Sequence, residues 1–307
     1  MSSPTGPASG LPVRMPRPRQ SGRHRRPEPV AAPEGAPALV LAVPGTPSDA
    51  IRSLAEEVVS IARSELPGLD AAIGYLDAAP DDAEYPTLQA VLAYSAAVRT
   101  ERYELALAAG REASAPQGPD AVVVPLLVGP ESTLSLRIDK AVAESGATAK
   151  VADVLGPHPL LAEALHVRLS EAGLARADRA RLFTVATAAD GIILATVGGE
   201  EAVQAAGITG MLLAARLAVP VMAAALDQEG AIAAMAAQLR GSGSQQLALA
   251  PYLVGPELAE GRLAEATREA GCASADPLGA YPAIGKLVLT QYTAALGIAA
   301  PQGTPAH

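Results

Sequence analysis

The stretch Val-Val-Val-Pro-Leu-Leu-Val-Gly-Pro-Glu at residues 122–131 returns as Ala-Leu-Ala-Pro-Tyr-Leu-Val-Gly-Pro-Glu at residues 248–257. From the first proline of each copy onward, six of seven positions are identical. An aliphatic run closed by Gly-Pro predicts a buried parallel strand, followed by a helix that begins at the acidic residue. Ligands of open α/β sheets bind beyond the carboxyl ends of the strands. Each copy is therefore expected to place a glutamate, Glu131 or Glu257, at a ligand-binding edge near the positive end of a helix dipole.

Other parts of the chain are duplicated in the same order. Residues 39–45 are similar to residues 192–198, and Asp-Val-Leu-Gly-Pro-His-Pro at 153–159 is similar to Asp-Pro-Leu-Gly-Ala-Tyr-Pro at 276–282. Four strands alternate with helices in each half. This pattern predicts an α/β fold of two tandem similar lobes, each a roughly four-stranded parallel sheet flanked by helices.

The lobe boundaries follow from composition and spacing. Residues 1–37 contain six arginines and two glutamates but no apolar periodicity, which predicts a disordered Arg/Pro-rich tail. The first lobe is predicted at residues 38–175 and the second at residues 188–300. From the first glycine to the repeated proline, the first half takes 80 residues and the second takes 53, so the first lobe contains an insertion.

Composition excludes several classes of function. The net charge is −9, and the arginine-rich tail leaves −13 on the remainder. An acidic body with no tryptophan and one phenylalanine lacks the basic, aromatic face that nucleic-acid binding requires. The sequence contains no run of about 18 uncharged apolar residues, so it predicts no membrane span. The single cysteine, Cys272, excludes an internal disulfide and a thiolate metal cage, and it fits a reducing, cytoplasmic location.

The residues alone leave the roles of the candidate site residues open. Glu131 and Glu257 face a ligand or are first-turn acids favoured by the helix dipole. His158, which follows a strand at the start of a helix, faces a ligand or caps the helix. The pair Glu163 and His166 has the spacing of a metal-binding helix motif, but without a second such pair we interpret it as a solvated helix face. Neither a dinucleotide fingerprint nor a nucleophile elbow is present in the sequence.

The order of the repeated pieces resembles the sirohydrochlorin chelatases, the small metal-inserting enzymes of siroheme and cobalamin synthesis. The resemblance covers about residues 38–295 and is carried by residues 39–48, 124–127, 153–160, 250–253 and 277–282. It implies two chelatase-type lobes that face a shared cleft, in which a sirohydrochlorin-like tetrapyrrole receives Fe²⁺ or Co²⁺ as the substrate metal, without an organic cofactor. The tetrapyrrole contacts that it implies are Gly45, Thr46, Gly129, Gly198 and Gly255.

The chain departs from this family at its histidines. Where the resemblance places a metal-binding, proton-accepting histidine pair, this sequence has Pro44 and Thr133, and the second lobe has Val197 and Ala259 at the corresponding positions. Neither proline nor threonine can replace a neutral imidazole as base or ligand.

Two hypotheses follow from the missing histidines. In the first, the chain is a chelatase that uses Glu131, Glu257 and His158 as catalytic groups, with Glu131 and His158 as metal ligands. In the second, it is a non-catalytic carrier of a tetrapyrrole or a scaffold for a partner enzyme. Because sirohydrochlorin is polyanionic, basic side chains should line the cleft in either case. The candidates are Arg137, Lys140, Arg262 and Lys286.

Overall fold

The computed structural model describes residues 31–33, 35–110, 115, 117–175 and 188–298. Strands and helices alternate throughout, as the duplicated sequence predicts. The first half contains β1 (Ala38–Val43), α1 (Asp49–Glu65), β2 (Ala71–Tyr75), α2 (Leu88–Ala108), β3 (Ala121–Pro125), α3 (Ser132–Ser145), β4 (Ala149–Val151) and α4 (Pro159–Glu171). The second half contains β5 (Gly191–Thr196), α5 (Gly199–Leu217), β6 (Val221–Ala225), α6 (Ala231–Gly241), β7 (Leu247–Pro251), α7 (Arg262–Ala270), β8 (Ala273–Ser274) and α8 (Pro282–Ala295).

The two halves form separate parallel sheets with the same strand order. The first sheet has the order β2-β1-β3-β4, and the second has β6-β5-β7-β8. The repeated prolines occupy equivalent register positions, because Pro125 pairs with Ala42 and Pro251 pairs with Ala195. The predicted fold class, two similar four-stranded parallel α/β lobes, is confirmed.

The repeated strand is shorter than its apolar run. β3 ends at Pro125 and β7 ends at Pro251, although the next three residues of each copy are also buried. Proline cannot donate a hydrogen bond to the sheet, so it occupies the last position of each strand. One more hydrogen bond follows it, because the N–H groups of Leu126 and Tyr252 donate to the carbonyls of Ala42 and Ala195 at 2.9 and 2.7 Å. The apolar run therefore continues as a buried loop across the carboxyl end of the sheet.

The insertion in the first lobe is spread over one helix and its two flanking loops. α2 has 21 residues, whereas its counterpart α6 has 11. Tyr85 holds the loop before α2 against α1. Its hydroxyl donates to Asp49 at 3.1 Å, and Arg52 lies 5.6 Å from the Tyr85 ring centroid. Despite the length of α2, none of the described helices is long and apolar enough to cross a membrane.

The two lobes exchange their last helices. α4, from the first half, packs against α5 and against β7 of the second sheet. α8, from the second half, packs against α1 and against β3 of the first sheet. The largest apolar cluster consequently contains inward-facing residues of both sheets together with all four of these helices. The outer faces of the sheets have smaller cores of their own, formed with α2 and α3 on one side and with α6 and α7 on the other.

The segment just before β1, which lies within the predicted tail of residues 1–37, contacts the folded body. The N–H of Ala32 donates to the carbonyl of Pro67 at 2.9 Å, and Ala32 packs against the main core. The hydroxyl of Tyr292 on α8 donates to the carbonyl of Pro37 at 2.7 Å. The sequence pattern did not indicate these contacts, because two of them are hydrogen bonds to backbone carbonyls and the third uses a single alanine. Residues 1–30 and 34 of the predicted tail lie outside the described residues.

The contact between α1 and α8 depends on a glycine. A Cβ atom at Gly285 would lie 2.5 Å from the Cβ of Ile61 and 3.0 Å from the carbonyl oxygen of Val58. We expect Gly285→Ala to destabilise the protein by about 1–3 kcal/mol, because the two helices would have to separate. The measurement is the denaturant midpoint of unfolding at constant m-value.

Gly207→Ala is the matched control within a helix. Gly207 lies inside α5, and a Cβ there would meet nothing within 4 Å. This substitution should stabilise the protein by up to about 1 kcal/mol through helix propensity alone. Equal effects of the two substitutions would show that α8 does not approach α1 this closely.

Candidate active site

In each lobe, an aspartate that follows the second strand holds the turn after the first strand. Asp77 accepts a hydrogen bond from the N–H of Gly45 at 2.9 Å. Asp227 accepts from the N–H groups of Gly198 and Gly199 at 3.0 and 3.2 Å. The sequence analysis missed both aspartates. The duplication could have indicated them, because Leu-Asp follows the second strand in both halves, at residues 76–77 and 226–227.

Each of these two turns lies in close contact with the opposite lobe. A Cβ at Gly45 would collide with the carbonyl oxygen of Pro256, and a Cβ at Gly198 would collide with that of Pro130. Both glycines also have positive φ, at 84° and 107°. In each lobe, the turn after the first strand therefore packs against the repeated Gly-Pro of the other lobe. As a result, the carboxyl ends of the two sheets meet along one junction.

A cavity of about 710 Å³ opens at this junction. Most of its lining comes from the second lobe, and the beginning of α3 contributes the rest. The lining residues are Glu131, Thr133, Leu134, Val197, Gly198, Leu226, Asp227, Glu229, Glu257, Leu258, Ala259, Arg262, Glu265 and Glu269. We call this space the junction cavity. Its volume is in the range of ligand-binding pockets, about 300–1,000 Å³.

Both predicted glutamates line the junction cavity, and each also holds backbone N–H groups. Glu131 is the N-cap of α3 and accepts from the N–H of Thr133 at 3.3 Å and from that of Leu134. Glu257 accepts from the N–H groups of Val254 and Gly255, each at 2.7 Å. A carboxylate has about four acceptor positions. Each glutamate therefore keeps lone pairs for a ligand while it fixes its own loop.

Glu257 does not begin a helix, which corrects the sequence prediction for the second copy. α7 begins at Arg262, after Gly261 in a left-handed conformation with φ of 80°. In the first copy the helix begins directly after Glu131. Glu257 therefore lies apart from the helix dipole, and its carboxylate is held by the backbone of its own loop instead.

Burial makes Glu257 chemically different from an exposed glutamate. Desolvation raises the pKa of its carboxyl group, although the hydrogen bonds from Val254 and Gly255 act in the opposite direction. A raised pKa means that the carboxylate binds a proton more readily than an exposed glutamate does at the same pH. Glu257 is therefore a better proton acceptor than glutamate in water.

His158 lies in a different cavity. It lines a space of about 560 Å³ beside β3 and β4, to which Asp153 and Gln291 of α8 also contribute. The Nδ1 atom of His158 accepts from the N–H of Leu160 at 3.1 Å and caps α4, while burial lowers the pKa of the imidazole. In a neutral imidazole whose Nδ1 accepts, the proton is on Nε2, so this ring presents a donor and not a lone pair.

The predicted metal-ligand pair is not assembled. Glu131 lines the junction cavity and His158 lines the second cavity. Within the part of the chain that the structure describes, no three histidine, cysteine, aspartate or glutamate side chains are grouped so as to hold a metal ion. His166 is not on a solvated helix face as predicted, because it is buried and its Nδ1 accepts from Nε of Arg216 at 2.9 Å.

Of the four basic residues predicted to line the cleft, Arg262 alone lines the junction cavity. Arg137 pairs with Asp77 at 2.6 Å. Lys140 lies 3.8 Å from Glu144, and Lys286 lies 3.5 Å from Glu65. Helix spacing could not show that neighbouring acids engage these three cations.

Of the residues implied as tetrapyrrole contacts, Gly198 lines the junction cavity. Neither the junction cavity nor the cavity beside β3 and β4 is lined by the other four, Gly45, Thr46, Gly129 and Gly255. Gly45 and Gly198 have a structural explanation, since they allow the lobes to touch. Three of the four positions at which the resemblance implies histidine, Thr133, Val197 and Ala259, also line the junction cavity.

Two solved structures are similar to the whole of the described fold. "SirB from Bacillus subtilis with Fe3+" superposes with a TM-score of 0.53 at 13% identity, covering 85% of this chain and 96% of that one. The sirohydrochlorin chelatase SirB from Bacillus subtilis subspecies spizizenii in complex with cobalt gives a TM-score of 0.51 at 11% identity, covering 85% and 95%. No protein-family model matches the sequence, and no curated protein matches it. At these identities the similarity shows the fold alone.

Substitutions in the junction cavity can test what imidazole groups would contribute to metal binding there. Val197→His combined with Ala259→His places two imidazoles in one cavity beside Glu257. We expect the double variant to bind Co²⁺ more tightly than the two single variants predict by addition, with a coupling free energy of about 1 kcal/mol or more. Calorimetric titration of the unsubstituted protein and all three variants with Co²⁺ measures this coupling.

The matched control is Val197→Asn with Ala259→Asn, which adds polarity without imidazole nitrogen. It should leave Co²⁺ affinity close to that of the unsubstituted protein. Strictly additive effects of the two histidines would show that the two positions do not face one ion.

Proposed function

We propose that the chain is a sirohydrochlorin chelatase-like protein that binds a tetrapyrrole in the junction cavity and presents it to Fe²⁺ or Co²⁺. The observation that carries this proposal is the position of the cavity. It lies where the carboxyl ends of two parallel sheets meet, between glutamates from equivalent positions of the two repeats. Ligands of open α/β sheets bind at such edges. The structural neighbours, SirB with Fe³⁺ and the sirohydrochlorin chelatase SirB in complex with cobalt, support the choice of substrate class.

Metal insertion requires acceptors for protons. When a divalent metal ion replaces the two N–H protons of a tetrapyrrole, both protons must leave the ring. Glu257 is the residue best suited to take one, because desolvation raises the pKa of its carboxyl group. Glu131, at the opposite repeat, supplies a second carboxylate whose free lone pairs can contact the incoming metal or the second proton.

The missing imidazoles limit the expected rate. Fe²⁺ and Co²⁺ favour imidazole nitrogen over isolated carboxylates. Thr133, Val197 and Ala259 provide none within the cavity, and Pro44 is buried outside its lining. Insertion should therefore be slow, at most a few-fold above the spontaneous reaction. The same observation favours the second candidate function, a tetrapyrrole carrier or scaffold without chelatase activity.

The wider assignment follows from the substrate. A protein that loads Fe²⁺ or Co²⁺ into a sirohydrochlorin-like ring would act in siroheme or cobalamin synthesis. A cytoplasmic location remains our prediction, motivated by the single, partly buried Cys272.

Titration of the purified protein with sirohydrochlorin, followed by absorbance with and without Co²⁺, tests both candidates. Saturable spectral change without metal, followed by faster metallation than in free solution, supports the chelatase. Saturable binding with metallation no faster than in free solution supports the carrier. If neither sirohydrochlorin nor an uncharged derivative of the same ring shows a spectral change with the protein, both candidates are wrong.

The pH dependence identifies the proton acceptor. Glu257 accepts a proton only when it is ionised, and its raised pKa keeps it protonated above the usual glutamate value of about 4.3. The insertion rate should therefore rise as the pH increases through this raised pKa, and it should be lost as the pH falls below it. Initial rates of metallation across the pH range provide the measurement.

Glu257→Gln should reduce the rate to the spontaneous one and abolish this pH-dependent rise. Glu260→Gln is the control, because Glu260 is exposed and is not part of the cavity lining. A pH profile unchanged by Glu257→Gln would contradict the role of Glu257.

A further inference from the structure

We propose that the junction cavity selects a tetrapyrrole whose peripheral carboxylates are neutralised, as amides or esters, over the free polycarboxylate ring. This inference rests on the proposed function and narrows its substrate class. It also departs from what the resemblance implies, because sirohydrochlorin is a polyanion.

The charges that line the junction cavity oppose an anionic ligand. Among the residues that the structure describes, six acidic side chains and one arginine line it. The acidic residues are Glu131, Asp227, Glu229, Glu257, Glu265 and Glu269. Like charges brought together in a partly desolvated cleft repel one another more strongly than in water. A ring with ionised carboxylates would add to this repulsion, whereas an amide or ester would not.

Arg262, the one cation that the described part of the chain contributes to the cavity lining, is already bound within the protein. Arg262 lies 2.6 Å from Glu269 and 3.3 Å from Glu265, and its Nε donates to the carbonyl of Leu226 at 2.6 Å. A ligand carboxylate would have to displace these partners before it could pair with the guanidinium. Such displacement costs much of what the new ion pair would contribute.

Three groups of backbone donors at the cavity are also occupied, although the beginning of α7 has no side-chain cap. Free N–H groups at turns and helix starts are the usual binding sites for ligand anions. Here Glu131 caps the beginning of α3, Asp227 holds the turn at Gly198, and Glu257 holds the N–H groups of Val254 and Gly255. Three carboxylates of the protein thus fill three places where carboxylates of a substrate could otherwise bind.

The remaining lining suits the uncharged face of a ring. Leu134, Val197, Leu226 and Leu258 provide apolar surface in the same cavity. An uncharged macrocycle would bury its flat face against these side chains, which is favourable in proportion to the apolar area removed from water. Uncharged amide groups at its edge could still donate hydrogen bonds to the surrounding carboxylates.

The test compares sirohydrochlorin with its fully amidated derivative, which has the same ring and no peripheral carboxylates. At about 10 mM salt, where screening is weak, we expect the amide to bind at least about tenfold more tightly. At about 0.5 M salt the difference should shrink to a few-fold, because screening weakens the repulsion. Absorbance titration gives both dissociation constants. Equal or tighter binding of sirohydrochlorin would overturn this inference and leave the proposed function intact. Failure of both rings to bind would overturn the proposed function and this inference with it.

A double substitution tests the origin of the preference. Glu265→Gln with Glu269→Gln removes two negative charges and releases Arg262 from its ion pairs. The preference for the amide should fall at least about threefold relative to the unsubstituted protein. Glu163→Gln is the control, since it removes one charge from an exposed face of α4 outside the cavity lining. An undiminished preference in the double variant, or an equal reduction in the control, would overturn the inference. If the double variant fails to fold, the salt dependence of the unsubstituted protein decides the same question.

Discussion

The exchange of α4 and α8 between the sheets is the constraint on which the rest of the structure depends. Each of these helices covers the sheet of the opposite repeat, so neither sheet can complete its inner face with its own half of the chain. The close approach at Gly285 shows how tightly one of these helices is held. Because burial of apolar surface is the dominant stabilising term, separating the lobes would expose the largest core of the molecule. The relative placement of the two strand ends, and hence of the cavity between them, is therefore fixed by the core.

Much of the acidic character at the junction has a structural origin. Asp77 and Asp227 hold the first turns, and Glu131 and Glu257 hold the repeated loops. A carboxylate that accepts backbone N–H groups is well ordered, but fewer of its lone pairs remain for chemistry. Glu257 is distinctive because burial alters its proton affinity while it performs this task.

The sequence predicted the strands, the duplication and the strand-end positions of Glu131 and Glu257, because apolar runs closed by Gly-Pro are local signals. It could not predict the helix exchange. Helical periodicity shows that one face of α8 is apolar, but it does not show which sheet covers that face. The late start of α7 was missed for a related reason. Two copies of one motif were expected to continue alike, although the turn at Gly261 separates Glu257 from its helix. His158 was correctly placed at a helix start, yet its capping bond to Leu160 depends on a side-chain geometry that spacing does not determine.

The divergence of the two repeats explains why the junction cavity lies mainly in the second lobe. In the first repeat α3 begins immediately after Glu131, so the helix itself fills the end of the sheet. In the second repeat four residues separate Glu257 from Arg262, and among them Leu258 and Ala259 line the cavity. The delayed helix thus leaves space that the other copy does not have. Duplication allows this division, because one repeat can keep the compact turn that supports the junction while the other opens a site beside it. The negative charge of the cavity has the same origin, because the carboxylates that hold these loops in place also face the cavity.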